Sequence, residues 1–294
     1  MAARFAVFLV LAGFSATYLA LFWRSLSRAC IWSGLNWRPS GGHLLTGCIT
    51  NFFDTLGIGS FATTTSIFKF RKMVADEWIP GTLNVGHTLP TGLQAFIDIS
   101  AISVDTTTLA LMIAGAVAGA WAGAGVVAEL SRSAVQLGMG GALVSAAIIM
   151  LMRQFDWFPA GGEALELTGW RLVAGVLGNV IFGAISTLGV GFYAPCMTLV
   201  SLLGMNPVAA FPIMMGSSAF LMPVASARFL KERVYSPPVA AGLTLGGLPG
   251  VPIAAFLVRS LPLVALRWLV IAVVLYAAVL MLRSALAARS EEGG

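Results

Sequence analysis

The chain has 294 residues, of which 58% are hydrophobic and only 10% are charged, with a net charge of +5 and a mean hydropathy of +0.91. Soluble domains carry about 25% charged residues, so this composition excludes a soluble protein and predicts an integral membrane protein. The basic excess does not indicate nucleic-acid binding, because Lys and Arg in a polytopic membrane protein mark its cytoplasmic loops.

The apolar runs predict one N-terminal helix and eight further segments. We interpret residues 5–23 as a transmembrane helix rather than a signal sequence, because a strong basic start and a clear cleavage site are missing. The later segments, named a to d and then a′ to d′, are 42–68, 80–101, 106–128, 133–152, 170–203, 207–227, 235–258 and 261–282. Each is long enough to cross roughly 30 Å of hydrocarbon as a helix.

The two groups of four segments are related by an internal repeat. A shift of 132 residues places TLGIG at 55–59 on TLGVG at 187–191, and it also places Pro80 on Pro212. We therefore expect five parts: an N-terminal helix and loop at 1–41, a first repeat at 42–153, a connecting loop at 154–169, a second repeat at 170–284 and a C-terminal tail at 285–294.

The distribution of basic residues bears on how many segments cross the membrane. If all of them cross, nine helices divide the 17 basic residues ten to seven; if a and a′ turn back at their glycine motifs, seven helices divide them twelve to five. The twelve are Arg24, Arg28, Arg38, Lys69, Arg71, Lys72, Arg132, Arg228, Lys231, Arg233, Arg283 and Arg289, and the five are Arg4, Arg153, Arg171, Arg259 and Arg267. The stronger bias favours seven crossings, with the N-terminus outside and the C-terminus cytoplasmic; nine crossings stay open.

Seven crossings give each repeat three, so the two halves have opposite orientation. The predicted fold class is therefore an all-α integral membrane protein made of two inverted repeats, with broken or re-entrant helices at the Gly-rich motifs, behind one N-terminal helix. The Gly-xxx-Gly pairs in segments c and c′ are expected to let helix backbones approach closely.

The glycine motifs predict where a ligand binds. A turn inside the membrane is tolerated only where protein or a wet cavity satisfies its backbone groups, and glycine permits the required dihedrals. After each turn the chain resumes a helix-compatible run, so each turn presents a half-helix N-terminus with the positive end of its dipole. Two such ends facing each other form an anion site without a buried Lys or Arg. The alternative is that these glycines serve only tight helix packing.

The candidate substrate-binding residues lie at the two turns and on segments b and b′. At the turns they are Gly57, Ile58, Gly59, Ser60, Thr63, Thr64, Gly189, Val190, Gly191, Phe192 and Tyr193. On segments b and b′ they are Asn84, His87, Thr88, Ser217 and Ser218. His87 either donates to an oxyanion or carries a proton, or else makes an interhelical hydrogen bond. Asp54 either caps NH groups of the following helix, the favoured role, or takes part in proton coupling.

The same two motifs carry a family resemblance. Two repeats that open with "GIGSFATTT" and "GVGFYAPC" resemble the TauE/SafE sulfite exporter family, and the resemblance covers residues 42–284. Members of that family typically carry GxGGG followed by a proline; here the third and fourth glycines of that motif are replaced, and proline follows only in the second half, at Pro195. The resemblance implies a permease of the bacterial inner membrane that transports sulfite, related sulfur oxyanions or organosulfonates.

The sequence thus predicts a secondary transporter, in the export direction, for small sulfur-containing anions. An anion channel that uses the same site is left open, whereas a membrane-embedded enzyme is disfavoured because the chain has only two histidines and no carboxylate motif. The three cysteines show no metal-ligand spacing, and neither a metal nor another cofactor is expected. The expected partners are the small anionic substrate and the lipid bilayer, with no nucleic acid; proton co- or counter-transport and a homo-oligomer are left open.

Overall fold

The structure is a computed structural model that describes residues 2–33, 37–157, 161–189, 191–257 and 263–292. These residues form helices and no β-strand apart from an isolated bridge between Ala164 and Met205. The helices are α1 (Ala2–Ser33), α2 (Gly41–Thr55), α3 (Ser60–Arg71), α4 (Ile79–Ala101), α5 (Thr106–Ala128), α6 (Arg132–Gln154), α7 (Gly169–Ser186), α8 (Tyr193–Leu202), α9 (Ala210–Glu232), α10 (Pro237–Pro252) and α11 (Leu263–Glu292). Short 3₁₀ turns precede α4 and α9, and a π-helical turn, Ile253–Leu257, follows α10.

The described part of the chain contains seven helices that are long and apolar enough to cross a membrane, namely α1, α5, α6, α7, α9, α10 and α11. An all-α, multi-pass membrane protein is therefore confirmed. Six of these helices are among the seven predicted crossings, and one is not. Helix α7, the first part of segment a′, meets the criterion, whereas α4, which is segment b, does not because polar residues interrupt its apolar sequence.

Segments a and a′ are each broken at their glycine motif, as predicted. Helix α2 ends at Thr55 and α3 begins at Ser60, while α7 ends at Ser186 and α8 begins at Tyr193. Gly57 and Gly189 occupy equivalent positions and have φ angles of 81° and 94°, a region that favours glycine. Their NH groups donate to equivalent carbonyls, over 2.8 Å to Asp54 and 2.9 Å to Ser186. Val190 lies outside the described residues.

The two helices of each broken segment form a hairpin, in which the start of the first helix lies beside the end of the second. A Cβ atom placed on Gly42, at the start of α2, would lie 3.9 Å from Nη1 of Arg71, at the end of α3. In the second half, a Cβ atom on Gly204, just after α8, would lie 3.3 Å from Nη1 of Arg171, near the start of α7. We refer to α2–α3 and α7–α8 as the first and second hairpins.

Glycines let each hairpin pack closely on a helix of the other half. A Cβ atom on Gly115 of α5 would lie 2.8 Å from the Val176 carbonyl oxygen of α7, and one on Gly250 of α10 would lie 2.5 Å from the Cys48 carbonyl oxygen of α2. Both distances are shorter than real Cβ contacts, so no larger residue fits at these positions. The close approach predicted for segments c and c′ is confirmed.

Several boundaries differ from the predictions. The N-terminal helix extends over Ala2–Ser33 rather than 5–23, and α11 continues to Glu292. The predicted tail at 285–294 is therefore helical as far as Glu292, because the sequence after 284 is rich in alanine, a strong helix former. Segment c′ ends earlier as an α-helix, at Pro252, where prolines at 249 and 252 remove backbone donors and α-helix gives way to the π-helical turn.

A partly buried ion pair between Lys69 and Asp76 holds the open end of the first hairpin, and Nη2 of Arg132 lies 4.0 Å from the same carboxylate. Nζ of Lys69 lies 2.9 Å from both carboxylate oxygens of Asp76, and the Gln136 amide donates to the same carboxylate over 2.6 Å. The Lys69 ammonium also lies 3.4 Å from the Ser284 hydroxyl. These contacts join α3, the turn before α4, α6 and α11, so Lys69 has a structural role in addition to its membership of a basic cluster.

Candidate functional site

The two helix breaks line one small cavity inside the bundle. The first half contributes Asp54, Gly59, Ser60, Phe61 and Thr91. The second half contributes Ser186, Gly191, Phe192, Met215, Ser218, Leu221 and Met222. The cavity volume of about 40 Å³ is several times the 10–15 Å³ that one water requires, so it admits a few waters or a small ion and excludes a bulky ligand.

Equivalent positions of the two repeats face each other across this cavity. At the shift of 132 residues Asp54 corresponds to Ser186, Gly59 to Gly191 and Ser60 to Phe192, and all six line the cavity. A Cβ atom on Gly59 or Gly191 would meet no atom of the described residues within 4 Å. The two glycines therefore leave space at the cavity and are not packed against a neighbouring helix, in contrast to those on α5 and α10.

The N-termini of α3 and α8 differ in their capping. The Asp54 carboxylate accepts the backbone NH of Ser60 over 2.8 Å, which satisfies one of the free NH groups at the start of α3. In the second half the equivalent Ser186 hydroxyl donates instead to the Gly183 carbonyl over 2.8 Å. Among the described residues no side chain caps α8, so its N-terminus keeps the positive end of its dipole free.

Two further ionisable groups lie near the first break. Nη1 of Arg153, at the end of α6, donates to the carbonyl of Gly57 over 3.2 Å, so a cation satisfies a backbone acceptor that the turn exposes. Asp98 on α4 interacts electrostatically with Asp54. Sequence reasoning missed both residues at this site. Neither Arg153 nor Asp98 lines the cavity.

The histidine and its neighbours on α4 lie outside the cavity lining. His87 is fully buried, with Nδ1 3.0 Å from Oδ1 of Asn51 on α2 and Nε2 3.0 Å from the Thr64 hydroxyl on α3. Both ring nitrogens are thus used in contacts that join three helices. Of the two roles expected for His87, the structure shows the interhelical hydrogen bond.

Other predicted residues are likewise engaged in packing contacts. The Asn84 amide donates to Pro80 over 2.9 Å and lies 3.4 Å from the Thr187 carbonyl, which joins α4 to the second break. The Thr88 and Ser226 hydroxyls are 3.1 Å apart. Thr63 bonds back to the Gly59 and Ser60 carbonyls, and Ser217 accepts from Asn179 over 3.3 Å. Gly57, Ile58, Gly189 and these polar residues surround the cavity without lining it; the side chain of Tyr193 is outside the described residues.

The lining also contains residues that sequence reasoning did not select. Thr91 on α4 and Met215, Leu221 and Met222 on α9 reach the cavity. The repeat shift was the available signal for Ser186, since it is the counterpart of Asp54. No comparable signal exists for the α4 and α9 residues, because both helices are buried almost all round and their sequences do not mark one face.

No group of three or more His, Cys, Asp or Glu residues able to hold a metal ion occurs in the part of the chain that the structure describes. Comparisons with protein-family models, with curated proteins and with solved structures find no match for this chain.

Proposed function

We propose that this protein is a secondary transporter of small sulfur-containing anions that bind in the cavity between the two helix breaks. The observation that carries the proposal is the convergence of three equivalent pairs of motif positions on that one cavity. Glycines used only for packing would face neighbouring helices, whereas Gly59 and Gly191 face open space. The small volume suits an ion of a few heavy atoms.

The lengths of the hairpin helices support re-entrant segments. Helix α3 has 12 residues and α8 has 10, which correspond to about 18 and 15 Å, well short of roughly 30 Å of hydrocarbon. The chain enters and leaves each hairpin at neighbouring points. Each hairpin therefore enters the membrane and returns to the side it came from. Its glycine tip then lies within the membrane, where the cavity satisfies the exposed backbone.

The contacts between helix ends support inverted halves. Helices α4, α5 and α6 each have 23 residues, enough for one crossing. Gln136 near the start of α6 contacts Asp76 beside the first hairpin, and the Asp105 NH at the start of α5 donates to Leu165, just before the second hairpin, over 3.0 Å. Three crossings therefore separate the open ends of the hairpins and place them on opposite faces.

The packing between the halves is reciprocal, as an inverted repeat requires. Helix α2 packs on α10 and its counterpart α7 packs on α5, while α4 packs on α9 and α6 on α11. A substrate site at the interface of two inverted repeats, built from discontinuous helices, is a recurrent transporter design. The topology has a direct test: a cysteine at Met73 is labelled only from the cytoplasm and one at Gly204 only from outside. Labelling of both from one face contradicts inverted halves.

The electrostatics favour an anion at the α8 side of the cavity. Among the described residues the lining contains no Lys, Arg or His, so attraction comes from the free NH groups and dipole of α8, together with the hydroxyls of Ser60 and Ser218. The Asp54 carboxylate opposes an anion when ionised and ceases to do so when it takes up a proton. We therefore include proton coupling through Asp54 in the proposal: binding of the anion and protonation of Asp54 favour each other.

The motif resemblance sets the proposed substrate class and location. The resemblance to the TauE/SafE sulfite exporters supports a permease of the bacterial inner membrane, with sulfite, related oxyanions or C2 sulfonates as the proposed cargo and export as the proposed direction. An anion channel using the same cavity is the second candidate. A cavity of only 40 Å³ lined by a titratable carboxyl favours the transporter, since a channel needs a continuous path across the membrane.

The experiment is a binding screen followed by a flux measurement. Sulfite, sulfate, thiosulfate and C2 sulfonates are added to the purified protein, and thermal stabilisation is recorded, because a ligand that binds only the folded state raises its stability. The best-binding ion is then followed into proteoliposomes with and without a proton gradient. Saturable flux that responds to the gradient supports the transporter; unsaturable flux supports the channel. Stabilisation by none of these anions overturns the proposed function.

A further inference from the structure

A second and larger cavity forms a groove between α1, α5 and α9, away from the helix breaks. Its volume is about 720 Å³, within the range of sites for sizeable ligands. The groove opens on the side of the bundle, where Leu21 is 39% exposed and Trp121 is 75% exposed. A side opening on a membrane-spanning bundle faces lipid, so the molecules that reach the groove first are lipids.

The walls offer apolar contacts and few polar ones. Phe14, Leu21, Trp121 and Pro223 supply apolar surface. The two wall hydroxyls nearby are already used, since Thr17 donates to the Gly13 carbonyl over 2.8 Å and the Tyr18 hydroxyl donates to the Val85 carbonyl. A hydrocarbon chain fits such a wall, whereas a polar ligand finds no partner along it.

One end of the groove is basic. Arg228 and Lys231 from the last turns of α9 complete its lining. Arg228 pairs with Glu129 over 3.2 Å and with Glu232 over 3.5 Å, so its charge is balanced. Among the described residues no ion pair joins Lys231 to an acid, and Lys231 is therefore the cation at this end that a ligand can neutralise.

Helix α1 extends the basic end. Thr17 and Leu21 line the groove, and the same stripe of the helix continues, at spacings of three and four, to the exposed residues Arg24 and Arg28. The basic end of the groove therefore has a net positive charge. Arg24, Arg28, Lys231 and Arg228 outnumber the two acids, Glu129 and Glu232, that pair with Arg228.

We propose that this groove binds an anionic phospholipid, with an acyl chain along α1, α5 and α9 and the headgroup phosphate at Lys231 and Arg24. Apolar walls open to the bilayer select a lipid, and the cationic end selects a negative headgroup. Basic pockets between transmembrane helices on the cytoplasmic side hold anionic lipids in the same way. The lipid would brace α1 against α5 and α9.

The test compares two lipids with identical acyl chains on the purified full chain. Phosphatidylglycerol and phosphatidylcholine are mixed in equal amounts in neutral detergent, and the bound lipids are counted by native mass spectrometry. With about 1 kcal/mol per basic residue near a headgroup, we expect about a five-fold preference for phosphatidylglycerol per contributing cation. Lys231→Gln should lower the preference about five-fold and leave phosphatidylcholine binding unchanged.

A second variant tests the acyl-chain part of the site. Gly125 lines the groove, and a Cβ atom on it would meet no described atom within 4 Å. Gly125→Leu should fill the groove and displace both lipids, whereas the matched Gly141→Leu, at an equally open glycine on α6, should displace neither. Equal binding of the two lipids by the wild type, or unchanged binding by both Lys231→Gln and Gly125→Leu, overturns the proposal. Lys231→Gln decides alone if Gly125→Leu does not fold.

Discussion

Removal of the Asp54 charge is the perturbation that best separates an anion site from other uses of the cavity. In Asp54→Asn the side chain keeps its shape and an oxygen that can accept the Ser60 NH, which Asp54 now accepts over 2.8 Å. Asn and Asp are about equally good at the start of a helix, so α3 should stay capped. The variant therefore changes charge with little change in structure.

The magnitude follows from Coulomb's law. Sulfate, with a charge of −2, lies about 5 Å from the Asp54 carboxylate in a cavity this small, and at an effective dielectric constant of about 20 the repulsion is about 7 kcal/mol. A difference of that size is about 10⁵-fold in the dissociation constant. With Asp54 ionised, the wild type should thus bind sulfate about 10⁵-fold more weakly than Asp54→Asn. As the pH is lowered and Asp54 takes up a proton, the wild type should approach the variant.

The assay is calorimetric titration of detergent-purified protein with sulfate between about pH 5 and pH 8, a range over which sulfate keeps its charge. Asp105→Asn is the matched control, because Asp105 also caps a helix, by accepting the Thr108 NH over 2.7 Å on α5, but lies outside the cavity. It should bind sulfate like the wild type at every pH. If Asp54→Asn abolishes binding, or if it binds sulfate no more tightly than the wild type at pH 8, the reasoning about Asp54 is wrong.

Three further predictions concern the cavity and its surroundings. Gly191→Leu should abolish sulfate binding by occupying the space beside the α8 NH groups, while Gly141→Leu binds normally; a normal Gly191→Leu titration would show that the anion lies elsewhere. His87→Ala should lower the free energy of unfolding by about 1–3 kcal/mol through loss of two buried hydrogen bonds, with sulfate affinity unchanged, measured by denaturant unfolding and titration. Lys69→Gln should destabilise the protein by about 1–3 kcal/mol, because Asp76 loses its nearer cation but keeps Arg132 at 4.0 Å and the Gln136 amide, whereas Lys72→Gln, at an exposed position, should leave stability within about 0.5 kcal/mol.

The sequence predicts the helix breaks well because the signal is local and repeated. Glycine at 57 and 189 is required by left-handed φ angles, and such a requirement appears directly in the residue type. Recurrence at a constant shift then distinguishes these positions from the many glycines that serve packing. The same shift relates Gly59 to Gly191 and Asp54 to Ser186, so the part of the site built by the turns follows from the amino-acid sequence alone.

The part of the site built by α4 and α9 cannot be derived in this way. In a helix that is apolar on one face only, the 3.6-residue period of the apolar residues identifies the buried face. Helices α4 and α9 lack this signal, because they are surrounded by other helices and have buried residues on all sides. Polar residues on such helices must find partners somewhere, and tertiary packing decides where. His87 finds Thr64 and Asn51, whereas Thr91, one turn further on, reaches the cavity.

The pattern of charged residues predicts the side of the membrane on which a loop lies, but not which charged residues form ion pairs. Lys69 belongs to a cluster with Arg71 and Lys72 that marks one side of the membrane, and that part of the interpretation depends only on composition. Its ion pair with Asp76 depends on the turn that follows α3, where Lys72 has a left-handed φ of 52° and reverses the chain. Two residues seven positions apart on either side of a turn have no fixed distance between them. The Lys69–Asp76 pair therefore could not be predicted from the sequence.

In the proposed function, the coupling to protons comes from the difference between the two halves at the cavity. Two identical inverted halves would present two equal helix N-termini and bind an anion with no titratable group. Here the first terminus is occupied by the Asp54 carboxylate and the second, with Ser186 at the equivalent position, is free. An anion at α8 and an ionised Asp54 repel each other, so each bound anion favours one bound proton. Replacement of Ser186 by Asp would cap both termini, and by the same reasoning it should weaken sulfate binding at neutral pH about a further 10⁵-fold; unchanged affinity in Ser186→Asp would show that the free α8 terminus does not hold the anion.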